Sequence, residues 1–383
     1  MNSIQRHEAR YQRRKAKRED RKRAADEQFT FDHVFSYRRL YRSYQICRRS
    51  VAWKTPVQKY ISQAPLVVYD TQCALQKGEF KVGDYHMFDV YERGKHRRIQ
   101  AVPMRERVVQ RCLCDHAIIP AVESSFIYDN GASRKNKGYH FAIRRLICHL
   151  QRHFRKHGQE GYILLFDFSK FFERIPHDVL HNILTKKLAD PRILELTERV
   201  INVYGSVGLG LGSQVSQTLA LASADALDHA VKTRMRIKGY GRYMDDGYMI
   251  HKDKRVLRAC LDEIKRICAG LGIVLNERKT RIVKLSHGFS WLKTRFYILP
   301  SGRILRKIYK RSVTRMRQKL KRMRTRLTKR LMDFEDVRST WESWKSYAAN
   351  LSAWHTINNM RKLYEQLFGK EFKQCTSKRF ARA

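Results

Sequence analysis

Two adjacent carboxylates, Asp245 and Asp246, follow Tyr243-Met244, and a third, Asp167, closes an apolar run further upstream. Like charges that close repel one another unless something cationic sits between them. The run Tyr162-Ile163-Leu164-Leu165-Phe166 predicts a buried strand that delivers Asp167 at its end. Around the pair, Gly241-Arg242-Tyr243-Met244 and Gly247-Tyr248-Met249-Ile250 predict the two arms of a hairpin whose tip is acidic. A chain so patterned is constrained to an antiparallel sheet that gathers carboxylate oxygens. Those suit Mg²⁺, a hard ion that also takes waters and substrate phosphates, and such a site clamps two ions for in-line phosphoryl displacement. A lone Asp-Asp would ordinarily be a solvated turn, so the reading depends on what surrounds it.

The charge of the chain points the same way. Eighty Lys and Arg against 36 acids give +44, far beyond what solubility needs, and nucleic acid is the economical partner. A membrane surface is the competing polyanion, but no run of eighteen apolar residues and no signal-peptide core follows the basic N-terminus. A cytoplasmic location without membrane association is the expectation. With 383 residues and 43% hydrophobic content the chain can bury a sizeable core split into subdomains. Its scattered cysteines fit free thiols. In Cys112-Leu113-Cys114-Asp115-His116, residues two apart point to different helix faces, which argues against a zinc site.

Along the chain, residues 1–28 are expected to form a basic arm that either orders on a polyanion or stays solvated. Helical patterning from Phe29 to Ser62 gives way to strands at 79–82, 87–91 and 97–103, the last two joined at Gly94, and then to a helix over 106–121. A polar, basic loop spans Tyr128 to Gly138. From Arg303 to Arg330 there are fourteen Lys or Arg and no acid, yet Met316, Leu320, Met323, Leu327 and Leu331 recur at helical spacing. One stripe would pack on protein while the other faces meet phosphates. Trp341 to Phe368 predicts a further helical pair.

The Tyr243-to-Asp246 box, with Phe166-Asp167-Phe168-Ser169-Lys170-Phe171-Phe172 upstream, resembles the palm of reverse transcriptases, and further motifs follow in the expected order. The resemblance covers roughly Phe29 to Phe368 and implies an α+β right-hand polymerase fold: fingers with the start of the palm over 29–161, palm over 162–300, and a helical basic thumb with the C-terminal tail over 301–383. It implies RNA-directed DNA synthesis with two Mg²⁺ ions, Mn²⁺ being an acceptable substitute. The partners implied are a structured template RNA, the RNA/DNA hybrid and dNTPs, with a small basic accessory protein or self-assembly as further candidates.

Carried over residue by residue, Asp167 and Asp245 become bridging metal ligands, Asp246 a supporting one, and the Phe168 carbonyl completes the shell. Phe172 would exclude a ribose 2′-hydroxyl. Arg97, in competition with Lys95 and Arg98, would meet the triphosphate as a fork-shaped cation. In Gly208-Leu209-Gly210-Leu211-Gly212-Ser213-Gln214-Val215-Ser216-Gln217, the glycines let backbone approach nucleic acid, Leu211 and Gln217 would lie by the nucleotide, and Ser216 by the template. Lys279, within Leu275-Asn276-Glu277-Arg278-Lys279-Thr280, would act as general acid on the leaving pyrophosphate. Trp291 occupies the primer-grip position, where many relatives carry Phe-Leu-Gly in place of Trp291-Leu292-Lys293. Further nucleic-acid contacts are expected at Arg134, Lys135, Arg306, Lys307, Lys310, Arg311, and at Arg315, Lys319 and Arg322.

Within the family, the Leu211-to-Gln217 stretch is similar to the signature of diversity-generating retroelements, although Gly210 stands where those enzymes usually have proline. The alternatives are an antiphage-defence reverse transcriptase working with a dedicated non-coding RNA, and a catalytically idle RNA-binding scaffold, which the intact acids disfavour.

Overall fold

The computed structural model describes residues 29–380 except 84 and 93, together with 8, 9, 11–13, 15 and 16; the side chains of 92, 95, 97 and 370–380 lie outside that description. The expected basic arm therefore falls almost wholly outside the described residues.

The fold is α+β, and its centre is a four-stranded antiparallel sheet in the order β4 (Gly239–Tyr243), β5 (Asp246–His251), β3 (Tyr162–Asp167), β6 (Arg281–Lys284). Strand β3 is a continuous apolar run because both of its faces are covered. Leu164 and Phe166 face a core shared with the helices His177–Leu184, Pro191–Asn202, Gln214–Ser223 and Lys254–Gly270. Ile163 and Leu165 face a second core with the helix Tyr139–His157, through Ala142, Ile143, Leu146 and Leu150. A slip of one residue would exchange these two sets, so the register that places Asp167 opposite Asp246 is tightly specified.

Ahead of the sheet, the helices Tyr37–Cys47, Thr55–Ser62 and Ala64–Gln76 carry a two-stranded hairpin, β1 (His86–Glu92) and β2 (Lys95–Ala101). The strand expected at 79–82 does not form. Both Glu79 N and Phe80 N donate to the Ala74 carbonyl and close the preceding helix, while Phe80 is buried against the core. The helix expected over 106–121 is a longer run, Met104–Leu113, continued by a π-helical turn Cys114–Ile118 into Ile119–Glu123. Cys112 and Cys114 are both fully buried in it, and burial pushes both thiols up, Cys112 to about 12.

After the sheet, β7 (Phe289–Trp291), β8 (Thr294–Ile298) and β9 (Ile304–Ile308) form a small meander that leads into three helices, Lys310–Thr328, Phe334–Ala349 and Trp354–Phe380. Met316, Leu320 and Met323 pack there with Trp341, Met360 and Phe368. Leu331 does not join that stripe: the helix stops at Thr328, Arg330 turns left-handed at φ 55°, and Leu331 is 63% exposed. Trp354, the first residue of the last helix, is 69% exposed.

Candidate active site

The hairpin between β4 and β5 places the acidic pair at the open end of the central sheet. Tyr243 pairs with Asp246 across the turn, Asp246 pairs with Asp167 across β5 and β3, and Asp245 lies between them, its carbonyl accepting from Phe168 N at 3.1 Å. Gly247 follows because the tip of the Phe166 ring occupies that position. A Cβ there would stand 2.1 Å from the ring, so no side chain fits beside Asp246.

Three carboxylates at one sheet end need a counter-charge. Lys279 supplies it: its Nζ donates to Asp167 Oδ2 at 2.6 Å, and Asn276 Nδ2 donates to Asp167 Oδ1 at 3.2 Å while Asn276 N donates to the Asp167 carbonyl at 2.7 Å. Burial, then the charges of Asp245 and Asp167, push the Asp246 carboxyl up to about 7. The Lys279 ammonium is held above its ordinary value; burial opposes this, but the hydrogen bond and charge of Asp167 outweigh it, with Asp246 and Asp245 adding to them.

The tip is braced from below by residues the motifs did not announce. Arg242 and Asp228 form an ion pair with no solvent exposure on either side, Nε to Oδ1 at 2.8 Å and an Nη to Oδ2 at 2.6 Å. Its other Nη donates to the Met244 carbonyl at 2.8 Å, and Met244 itself is left-handed at φ 56°. Tyr240 Oη and Asn130 Nδ2 also donate to Asp228, at 2.5 and 3.4 Å. Non-glycine residues in this backbone region cost energy and persist only where the surroundings over-determine them; Arg242 does so here. Sequence gave a faint signal, a charge inside an otherwise apolar hairpin arm.

A cavity beside the carboxylates is lined by Asp167, Tyr243, Asp245, Asp246, Lys279 and Trp291, with Lys293 and Tyr309 at its edge. Trp291 is buried edge-on to Tyr248, ring centroids 4.8 Å apart, and its indole N–H has no partner among the described residues. The β7–β8 turn, Leu292-Lys293, has both residues left-handed, at φ 44° and 60°, the geometry of a type I′ hairpin. That conformation explains the glycine of many relatives and shows Lys293 adopting it at some cost.

The other expected site residues stand apart from this cavity. Phe172 is half-buried against Phe171, and its carbonyl accepts from Leu209 N at 2.6 Å. Leu211 accepts from Gln100 N at 3.3 Å, joining the glycine-rich loop to β2. Ser216 is buried at the start of the helix Gln214–Ser223, whereas Gln217 is exposed and accepts from Ser133 Oγ at 3.1 Å. Gly210 has the Tyr204 ring where its side chain would be, 1.9 Å from an ideal Cβ, so a proline is excluded. Phe168 is buried. Arg98 is exposed on β2, and Lys95 and Arg97 fall on the same strand with side chains outside the described set.

Arg134, expected on nucleic acid, turns inward: its guanidinium meets Glu123 and the carbonyls of Ile127 and Asn130. Lys135 stays exposed. Lys307, Lys310, Arg311, Arg315, Lys319 and Arg322 are exposed and Arg306 is half-buried. Residues 304–308, within the basic segment, form β9 rather than helix.

A family model described as reverse transcriptase (RNA-dependent DNA polymerase) matches residues 84–297, from the β1–β2 hairpin to β8. The chain belongs to the reverse transcriptase family. Its α+β architecture is the right-hand polymerase fold, with the acidic tip in the matched segment. Among curated proteins this reverse transcriptase is similar to Protein YkfC of Escherichia coli (strain K12), 25% identical over 242 residues, which are 52% of this chain and 62% of that protein. The chain thus spans about three fifths of that relative's length. Among solved structures, telomerase from Candida albicans in complex with a fragment of telomeric RNA matches at TM-score 0.47 and 10% identity, covering 82% of this chain and 68% of that one. Apo telomerase from Candida tropicalis, truncated from its C-terminal domain, matches at TM-score 0.43 and 11% identity over 58% and 55%.

Proposed function

We propose that this chain is an RNA-directed DNA polymerase that copies a structured RNA into cDNA. The observation that carries the reading is the convergence of Asp167, Asp245 and Asp246 at the tip of an antiparallel sheet, held by Lys279 and the Arg242–Asp228 pair.

The donor set fits divalent ions by its chemistry: oxygen-only and over-charged enough to raise the Asp246 carboxyl. Among the described residues no three carboxylates, imidazoles or thiols are already closed into an ion-holding cluster, and the Lys279 ammonium sits on Asp167 instead. Asp167, Asp245, Asp246 and the Phe168 carbonyl would hold Mg²⁺ once that ammonium moves aside. Bound ions would supply Lewis-acid stabilisation of the phosphate oxygens. Lys279, charged and half-exposed, is then free to reach the leaving pyrophosphate and give it a proton. Phe172 would pack against the deoxyribose and leave no room for a 2′-hydroxyl, while Arg97 or its neighbours Lys95 and Arg98 meet the triphosphate. Trp291, Lys293 and the exposed cations of the helix Lys310–Thr328 would hold primer and hybrid.

The glycine-rich loop supports a place among diversity-generating retroelements, with antiphage defence as the alternative role. In the test, the chain receives a DNA primer on an RNA template with dNTPs and Mg²⁺, and templated extension is the expected result. Sequencing of cDNA made on the RNA encoded beside its gene then decides the role. Errors concentrated at template adenines favour diversity generation, whereas a uniform error spectrum or products of a short repetitive template favour defence. No extension on any RNA template would refute the polymerase reading.

A further inference from the structure

The far end of the central sheet carries a second concave surface, which shares no lining residue with the cavity at the acidic tip. It is formed by the C-terminal half of the helix Tyr139–His157, the connection into β4, and the exit of β5. Strand β5 runs from Asp246 at the acidic tip to His251 at this cleft, five steps or about 17 Å away. Five cations line it: Arg152, Lys156, Arg236, Lys238 and Lys252, all exposed. Its one carboxylate, Asp253, accepts from Arg255 N at 2.7 Å and so caps the next helix, while Glu160 reaches Lys252 at 3.7 Å from outside the lining.

One feature separates this cleft from the generally basic surface. Its floor is apolar and walled by imidazole. Ile237 and Ile250 are buried beneath it, His153 and His157 lie with ring centroids 5.0 Å apart, and His251 closes the end. Arg236 is left-handed at φ 53° because the preceding helical turn closes there, Met235 N donating to the Ala230 carbonyl at 2.9 Å and Ile237 N to the Val231 carbonyl at 3.1 Å, and this cap leaves the guanidinium exposed on the rim. A flat cationic surface suits a duplex backbone, but a cationic rim around an apolar, ring-walled floor suits an unstacked nucleotide whose base enters while its phosphates stay on the rim.

We propose that this cleft binds an unpaired loop of RNA, so that the RNA is anchored about 17 Å from where it is copied. The inference rests on the polymerase reading only in taking RNA as the partner.

The test measures binding in EDTA, where no synthesis occurs, using an RNA hairpin with a single-stranded loop and a blunt RNA duplex with the same number of phosphates. Arg152→Gln/Arg236→Gln/Lys238→Gln is compared with Lys59→Gln/Lys186→Gln/Lys187→Gln, which removes equal charge from exposed positions elsewhere. The cleft triple is expected to weaken hairpin binding at least tenfold and to flatten its log–log salt dependence by about two, since each lost single-strand contact removes about 0.7. It should leave extension of a short primer–template unchanged. The control triple should leave the hairpin's slope near wild type. Photo-crosslinking of loop nucleotides to the wild-type chain should map to residues 149–157 or 236–253. Equal losses from the two triples, a loss confined to the duplex or to anionic phospholipid vesicles, or crosslinks confined to the acidic-tip face would each overturn the proposal. Failure of the extension assay with hairpin binding still lost would leave the cleft standing and remove only the polymerase reading.

Discussion

Replacing Arg242 separates two jobs that one side chain performs. In Arg242→Ala, Asp228 keeps only Tyr240 Oη at 2.5 Å and Asn130 Nδ2 at 3.4 Å, and its charge stays buried with no cation. Breaking a buried pair from one side costs about 3–5 kcal/mol. Arg242→Met/Asp228→Asn removes both charges at similar volume, so stability should return to within about 1–2 kcal/mol of wild type. The bond from Arg242 to the Met244 carbonyl is still missing, however, so the left-handed residue of the turn loses that anchor. A displacement of about 1 Å at a catalytic group lowers rate by roughly 100-fold. The assay pairs urea unfolding, followed by tryptophan fluorescence, with primer extension on RNA. The double variant should be stable and about 100-fold slow. If it polymerises within threefold of wild type, the pair is only a packing element and the positioning argument is wrong.

The raised Asp246 carboxyl predicts that metal-free protein loses stability as pH rises from about 4, its unfolded value, through about 7, because the folded state keeps a proton that the unfolded chain releases. Asp246→Asn should flatten that fall, and equal pH profiles for the two proteins would contradict it. Lys310, Arg311, Arg315 and Lys319 changed together to Gln should reduce the log–log salt slope of hybrid binding by about 3–4; an unchanged slope would mean that this helix face meets no phosphate. Phe172→Ala should raise ribonucleotide incorporation at matched activity, at a stability cost below the roughly 3–5 kcal/mol of a fully buried Phe. Discrimination equal to wild type would make Phe172 a packing residue.

The acidic centre was legible because its signals are local: an apolar run ending in Asp167, and a hairpin with Asp245 and Asp246 at its tip. The register then follows from two covered faces. Arg242 and Asp228 escaped notice since their partnership is tertiary, fourteen positions apart and marked by no spacing rule. The surroundings of Arg134 were hidden for a related reason: composition counts a cation, but only the fold reveals that Glu123 and two carbonyls engage it. The alternation at 79–82 misled because period two signifies a strand only when a neighbour is there to pair, and the chain instead closes a helix. Leu331 kept helical spacing past the point where the backbone turned. The left-handed Leu292-Lys293 turn had no glycine to announce it.

The most direct test of the central claim is Asp245→Ala combined with Asp246→Ala, assayed for Mg²⁺-dependent DNA synthesis on RNA alongside RNA affinity. The three-carboxylate site predicts loss of synthesis, with RNA binding within about twofold of wild type, because removing negative charge does not weaken contact with a polyanion. DNA synthesis retained by that double variant would contradict the assignment of the active site.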